Sequence, residues 1–170
     1  MDKIELNGIS YIKESLTLQN KDYQPDYSVT NLDVITYRNG DAIPKVKDPK
    51  KWSELTTGAY CYYDNDSSKG ILYNWYAVND PRGLAPLGWK IPNNKEIDLL
   101  DLKINPQFNG YRNYIGPFES IDSNGLWWSL SEYNTFSSWS RYLGSNNGDV
   151  GRASNVKLNG FSVRCIKENI

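Results

Sequence analysis

The chain has 170 residues and a mass of 19.5 kDa, which is enough for one domain with its own hydrophobic core. Its 19 basic and 20 acidic side chains give a formal net charge of −1, so it has no basic surface for a nucleic-acid backbone. The chain contains no histidine, which excludes imidazole zinc sites and Ser-His or Cys-His nucleophiles. It begins without a signal peptide and has no run approaching 18 apolar residues, so we expect no membrane insertion.

The N-terminal region is predicted to form a hairpin followed by a loop. Residues 3–13 alternate apolar and polar side chains around an Asn-Gly pair, which is a strong short-range signal for a β-hairpin. The polar residues 19–32 predict a surface loop. We therefore predict an N-terminal hairpin and loop extension over residues 1–30 and the main domain over residues 31–170.

Few helices are predicted in the main domain. A strand-like run at residues 33–37 leads into an Asn-Gly pair, which indicates a turn. A short helix is predicted over residues 49–55. The clearest helix is predicted over residues 93–102, where Asn93 and Glu96 have the spacing of a capping box and apolar residues follow.

The rest of the chain consists of short aromatic runs separated by Gly, Asn, Asp and Ser, a pattern typical of short antiparallel strands. These runs lie at residues 59–63, 71–78, 126–129, 138–143 and 161–165. The predicted class is therefore α+β with much loop. We expect the tryptophans to supply core area in a chain with one methionine; they are Trp52, Trp75, Trp89, Trp127, Trp128 and Trp139.

The segment 133–156 has an unusual composition, with no Lys, Glu, Gln or Met. At its centre, strand alternation predicts that Trp139, Arg141 and Leu143 face inward and that Ser140 and Tyr142 face solvent. A surface of Ser, Asn, Gly, Asp and Tyr resembles an antibody paratope, because tyrosine gives rigid contact area and the small polar residues give adaptable hydrogen bonds. An ordinary polar loop explains the same composition, and both interpretations stay open.

The two cysteines, Cys61 and Cys165, lie in apolar strand-like runs. They form either a disulfide in an oxidising compartment or two small buried hydrophobic residues. Catalysis by either thiol is disfavoured because the chain has no histidine to activate it. The residues indicate no catalytic group, no cofactor and no metal site.

Six motifs occur together in an order that resembles a known family. They lie at residues 37–44, 55–61, 72–78, 84–92, 125–133 and 159–165, and the last, Asn-Gly-Phe-Ser-Val-Arg-Cys, is the most specific. From about residue 30 to residue 167 the chain resembles the Fibrobacter succinogenes major paralogous (FISUMP) domain, which is related to the formylglycine-generating-enzyme type of C-type lectin-like fold. The resemblance implies a twisted antiparallel sheet with one or two helices and a long, loop-rich ligand face.

The enzymes of that fold hold copper with two cysteines a few residues apart near the C-terminus. Here Cys165 corresponds to the second cysteine, but Gly160 stands where the first would be expected. The resemblance therefore implies a fold without the copper site, and we expect no enzymatic activity.

Some members of this fold are variable proteins of diversity-generating retroelements, and the chain resembles these as well. In those proteins, adenine-directed mutation of Asn codons diversifies a C-terminal binding surface. Such codons cannot yield Lys, Glu, Gln, Met or Trp, and between residues 133 and 156 only Trp139 lies outside the reachable set. The segment is thus similar to a diversified one.

We expect a non-enzymatic ligand- or receptor-binding module on a phage particle or bacterial surface. Its partner would be a protein or glycan on a cell surface, and the domain could form homo-oligomers. The predicted binding residues are Tyr133, Asn134, Phe136, Ser138, Ser140, Tyr142, Ser145, Asn146, Asn147, Asp149, Arg152, Ser154 and Asn155. The alternatives are a structural subunit of a larger surface or virion assembly and, less favoured, a relative of the formylglycine-generating oxidases.

Overall fold

The computed structural model describes residues 2–6, 9–13, 27–146 and 148–168. The strands are β1 Asp2–Leu6, β2 Ile9–Lys13, β3 Tyr27–Ser28, β4 Tyr60–Tyr62, β5 Ile71–Tyr73, β6 Trp89–Lys90, β7 Tyr111–Arg112, β8 Phe118–Glu119, β9 Asn124–Glu132, β10 Ser137–Gly144, β11 Val150–Val156 and β12 Ile166–Lys167. The helices are α1 Pro49–Ser53 and α2 Trp75–Val78, with single 3₁₀ turns at Tyr63–Asn65, Ser67–Lys69 and Ile97–Leu99. Within the described residues the strands form small antiparallel sheets beside two short helices, which confirms the α+β class.

The N-terminal hairpin is confirmed in its two strands. β1 and β2 pair antiparallel, while the Asn-Gly turn between them lies outside the described residues. The hairpin adds to a five-stranded sheet of order β1-β2-β3-β12-β6, in which β3 pairs with both β2 and β12. The predicted division of the chain near residue 31 stays a prediction.

The predicted loop at residues 19–32 is wrong at its C-terminal end, and residues 14–26 lie outside the described part of the chain. Tyr27, Val29 and Leu32 are buried. They are buried because β3 lies between β2 and β12 in the sheet, so its flanking residues reach the core.

The predicted strand at residues 33–37 is reduced to a single bridge between Thr36 and Ala42. The turn that follows is present: the Gly40 amide donates to the Tyr37 carbonyl, and Gly40 has φ +92°, which favours glycine.

The predicted strand over residues 71–78 ends early because Asn74 begins helix α2. The Oδ1 atom of Asn74 accepts hydrogen bonds from the amides of Ala77 (3.1 Å) and Ala59 (3.0 Å), and its Nδ2 atom donates to the Thr57 carbonyl (2.9 Å). Asparagine is a favoured N-cap residue, so the aromatic run divides into a strand and a helix at this position.

The predicted helix over residues 93–102 is only a 3₁₀ turn. Its capping box forms, since Asn93 Oδ1 accepts from the Glu96 amide and Glu96 Oε2 accepts from the Asn93 amide. The backbone becomes extended at Leu100 (φ −80°, ψ 131°). Ile97, Leu100 and Leu102 are all buried, but a helix would not place residue 102 on the same face as residues 97 and 100. The extended backbone after Leu99 allows all three side chains to pack in one cluster.

The remaining predictions agree well with the structure. Helix α1 falls within residues 49–55, and strands β4, β9 and β10 coincide with three of the predicted aromatic runs. Residues 161–165 form no strand of their own; they are joined to Tyr73 and Trp127 by isolated bridges.

Two adjacent tryptophans on β9 join separate parts of the core. Trp127 packs into a cluster with Ile97, Leu143 and other residues, whereas Trp128 packs into a cluster with Phe161, its ring centroid 4.3 Å away. Consecutive strand residues point to opposite faces, so β9 is buried on both. Both indole N–H groups donate hydrogen bonds, as expected for buried tryptophans.

Three buried arginines bind the backbone of distant loops. The guanidinium of Arg112 donates to the carbonyls of Val46 (2.7 Å), Lys47 (2.8 Å) and Gly116 (2.9 Å). It lies over the ring of Trp52 at 4.6 Å. The two other arginines act in the same way: Arg164 donates to the carbonyls of Ile104 and Asn105, and Arg141 donates to Asp98 and to Asn94.

Cys61 and Cys165 are free thiols in different core clusters, so the disulfide alternative is wrong and the buried-hydrophobe alternative is right. Burial raises the pKa of both thiols to about 12. Within the described residues, no helix has the length and apolar character needed to span a bilayer.

Replacing Arg112 with methionine should lower the free energy of unfolding by about 3–5 kcal/mol, because three carbonyls lose their donor away from water. The matched control is Arg152→Met. Arg152 is exposed and lies over one ring, so its loss should change stability by less than about 1 kcal/mol. Urea denaturation measures both, and equal midpoints for the two variants would contradict a stabilising role for Arg112.

The cysteines should be invisible to a thiol reagent until the chain unfolds. Ellman's reagent at pH 8 should find no reactive thiol in the native protein, because burial keeps both groups protonated and inaccessible. After unfolding in guanidinium without reductant, it should find two. No thiol in the unfolded chain would instead show a disulfide.

Candidate functional site

The C-terminal sheet has the order β11-β10-β9, so β10 is its central strand. β10 pairs with β11 from Ser137 opposite Val156 to Leu143 opposite Val150. On its other side β10 pairs with β9, and the register shifts between Ser138 and Ser140. A central strand of this kind receives neighbours along both edges, which limits how much of it can be exposed.

Two of the predicted exposed residues, Ser138 and Ser140, are buried, and this part of the prediction is wrong. Ser140 lies opposite the large ring of Trp128 on β9 and opposite Ala153 on β11. Its hydroxyl donates to the Ala153 carbonyl (3.2 Å) and accepts from Asn155 Nδ2 (2.8 Å). A small side chain on a central strand is covered by its longer neighbours, which strand alternation alone does not reveal.

The inward face of β10 is also only partly as predicted. Arg141 and Leu143 are buried, but Trp139 is half-buried. Its ring is in T-shaped contact with Tyr133 (4.8 Å between centroids), and the Arg152 guanidinium lies over it at 4.9 Å. Trp139 therefore packs against Tyr133 and Arg152 at the surface.

The turn between β9 and β10 is exposed, as predicted. Phe136 has 77% of its side-chain surface exposed and Tyr133 has 54%. Asn134 Oδ1 accepts from the amides of Phe136 and Ser137, both at 2.8 Å, which fixes the turn. This turn presents two aromatic rings to solvent.

The turn between β10 and β11 is exposed as well. Ser145, Asn146 and Asp149 lie on the surface there, and Asn147 lies outside the described residues. Arg152 and Ser154 are exposed on β11, and Asn155 is half-buried.

Three of the predicted residues, Tyr142, Ser154 and Asn155, meet in a cleft of about 610 Å³ between the C-terminal sheet and the segment 111–120. Its lining consists of asparagine, tyrosine, serine and apolar side chains: Tyr111, Asn113, Tyr114, Ser120, Asn124, Leu126, Ser137, Tyr142, Ser154, Asn155, Val156, Asn159 and Phe161. The other predicted residues that the structure describes lie outside this lining.

The wall opposite the sheet is held by hydrogen bonds around Glu119. Tyr111 donates its hydroxyl to one carboxylate oxygen of Glu119, and Asn113 Nδ2 donates to the other at 3.0 Å. Burial, together with the adjacent carboxylate, raises the pKa of Tyr111 to about 12, so its hydroxyl stays protonated as a donor at neutral pH. The Tyr111 ring also packs edge-on against Phe161 at 5.8 Å, which joins this wall to the core.

The Tyr142 ring lies across the strand on Gly151. A Cβ atom built on Gly151 would stand 2.1 Å from the Cζ atom of Tyr142, so only glycine leaves room for the ring in this position. An aromatic side chain that covers a cross-strand glycine is a stabilising pair in sheets. Tyr142 is nevertheless 43% exposed, so its other side is open to a ligand.

The sequence did not predict the side of the cleft formed by residues 111–120, which precede β9 in the chain. Tyr111, Asn113 and Tyr114 come from a stretch whose aromatic residues recur at every third position, at Phe108, Tyr111 and Tyr114, and this spacing lacks the alternation that predicts a half-buried strand. Asn159 and Phe161 come from the most specific motif of the chain, whose role at the ligand face could not be derived from composition.

Acidic and thiol groups give no sign of a metal centre in the part of the chain that the structure describes. No three residues among histidine, cysteine, aspartate and glutamate come together there in a way that could hold a metal ion. Cys165 is buried, and its raised pKa keeps it a thiol, which is a poor metal ligand.

Comparison with known proteins gives one match. The model of the Fibrobacter succinogenes major domain family matches residues 29–107, which precede the C-terminal sheet and every residue that lines the cleft. No curated protein and no solved structure matches the chain. The match covers four of the six motifs named above and confirms the resemblance that they indicated. Residues 29–107 are therefore similar to the Fibrobacter succinogenes major domain.

Proposed function

We propose that this domain is a non-catalytic recognition module whose ligand binds in the cleft beside β10 and β11. The observation that carries the proposal is the cleft itself, which has the size of a typical ligand pocket and is lined by aromatic, amide and hydroxyl side chains. These groups recognise ligands by contact area and hydrogen bonds.

The position of the predicted surface residues supports this function. Tyr142, Ser154 and Asn155 come from the segment with paratope-like composition, and they stand on a sheet whose other side is packed into the core. Tyrosine contributes a rigid ring with little entropy to lose, and serine and asparagine adapt their hydrogen bonds to the ligand. A rigid support beneath adaptable side chains suits selective binding.

The finer parts of the proposal rest on the resemblances in the sequence. The domain would have a C-type lectin-like fold and would act as a variable protein of the kind that diversity-generating retroelements produce. It would be displayed on a phage particle or bacterial surface and would bind a protein or glycan of a target cell. The small antiparallel sheets with long loops suit such a fold.

Binding should be lost in cleft variants that leave the fold intact. We would screen the biotinylated domain against an array of oligosaccharides and an array of purified cell-surface proteins, and then titrate each probe that binds. Tyr142→Ala and Asn155→Ala should weaken binding at least tenfold, because one removes a ring and the other removes an amide on the same face of the sheet. Their melting temperatures should fall by no more than about 4 °C, since one cross-strand pair or one hydrogen bond contributes about 1 kcal/mol to stability.

Two controls accompany this screen. Leu87→Ala removes an exposed apolar side chain outside the cleft and should bind like the wild type. Trp128→Ala should lose about 3–5 kcal/mol of stability because the ring is buried. Probe binding that survives both cleft substitutions, or the absence of any bound probe, would contradict the proposal.

A further inference from the structure

The lining of the cleft is uncharged throughout, although charged residues make up 23% of the chain. The carboxylate of Glu119 is not part of the lining, and it accepts hydrogen bonds from two lining residues, Tyr111 and Asn113. A charged ligand would give up hydration in this cleft without meeting an opposite charge, which is costly. An anion would in addition be repelled by Glu119. The lining therefore favours a neutral ligand.

Two asparagines of the cleft each use only one of the two polar atoms of the side-chain amide in hydrogen bonds to described residues. Asn155 donates through Nδ2 to Ser140, and its Oδ1 atom accepts no hydrogen bond from any described residue. Asn159 accepts through Oδ1 from the Tyr114 amide at 2.8 Å, and its Nδ2 group donates to no described residue. The cleft thus presents a fixed acceptor and a fixed donor.

A hydroxyl group both donates and accepts, so a ligand with several neighbouring hydroxyls matches such a mixed set. The Tyr142 ring, supported from below by Gly151, offers a flat face for C–H groups, and Leu126 and Phe161 add apolar surface. A molecule with hydroxyls around its edge and C–H groups on its faces uses both kinds of surface. Pyranose sugars have this form.

The concave shape favours a small ligand over a folded protein. A stable protein interface needs about 800 Å² from each partner over a broad surface, whereas a cleft of about 610 Å³ encloses a molecule of a few rings. The exposed rings of Tyr133 and Phe136 lie outside the lining and do not enter this argument.

We propose, building on the recognition function above, that the cleft binds an uncharged oligosaccharide, stacked on Tyr142 and hydrogen-bonded by Asn155 and Asn159. Gly151 acts as a positioning residue because it lets the ring of Tyr142 lie against the sheet. The binding needs no metal ion, since amide and hydroxyl groups make the polar contacts.

The test is a titration of the full chain with matched pairs of oligosaccharides from the array. Each pair shares one neutral structure, and its second member carries a sialic acid, a uronic acid or a sulfate. We expect neutral members to bind at least tenfold more tightly than their anionic partners and to bind equally with and without EDTA. Tighter binding of the anionic members, or loss of binding in EDTA, would overturn the proposal.

Variants test the assigned contacts. Tyr142→Phe keeps the ring and should bind the neutral sugar within about threefold of the wild type, whereas Tyr142→Ala should lose at least tenfold. Gly151→Ala should lose binding as Tyr142→Ala does, with the Tyr142 ring resonances shifted in NMR spectra. Sugar affinity unchanged by Tyr142→Ala or by Gly151→Ala would overturn the proposal.

The two proposals fail in different ways. If the domain binds an array protein in a manner that Tyr142→Ala and Asn155→Ala abolish, and binds no saccharide, the saccharide proposal is overturned and the recognition function stands. If no bound probe depends on those two residues, both are overturned.

Discussion

The fold depends on buried arginine side chains that satisfy the backbone carbonyls of its loops. A chain with short strands and long loops leaves many carbonyl groups outside regular sheets, and each one buried without a donor destabilises the fold. A guanidinium offers five donors in a fixed planar fork, which allows one side chain to bind several carbonyls at once. Arg112 binds three carbonyls in this way, and Arg164 binds two.

The same anchors shape the cleft, because each of two arginines is next to a tyrosine of the lining. Arg112 follows Tyr111 on β7, and Arg141 precedes Tyr142 on β10. Neighbouring residues of a strand point to opposite faces, so fixing the arginine within the protein directs the tyrosine into the cleft. The rings are therefore held in place before a ligand arrives, which lowers the entropy lost on binding.

Short-range signals in the sequence were reliable, and statements about burial were less so. The N-terminal hairpin and the capping box of Asn93 and Glu96 depend on residues close in sequence, and both are present. Alternation along β10 correctly placed Arg141 and Leu143 in the interior and Tyr142 at the surface. It did not show that β9 and β11 cover Ser140, because that depends on segments brought together by folding. The wall at residues 111–120 was missed for the same reason.

Burial also limits which positions of the segment 133–156 could vary if it is diversified. Arg141 binds Asp98 and the Asn94 backbone, so a serine there would leave these groups without their donor. Ser140 is fully buried between β9 and β11, whereas Tyr142 and Ser154 stand at the open cleft. Variation that preserves the fold is therefore confined to exposed positions, and those at the cleft are among them, so a change in specificity need not change stability. Gly151 is the exception, because a side chain there would move Tyr142 and alter the cleft indirectly.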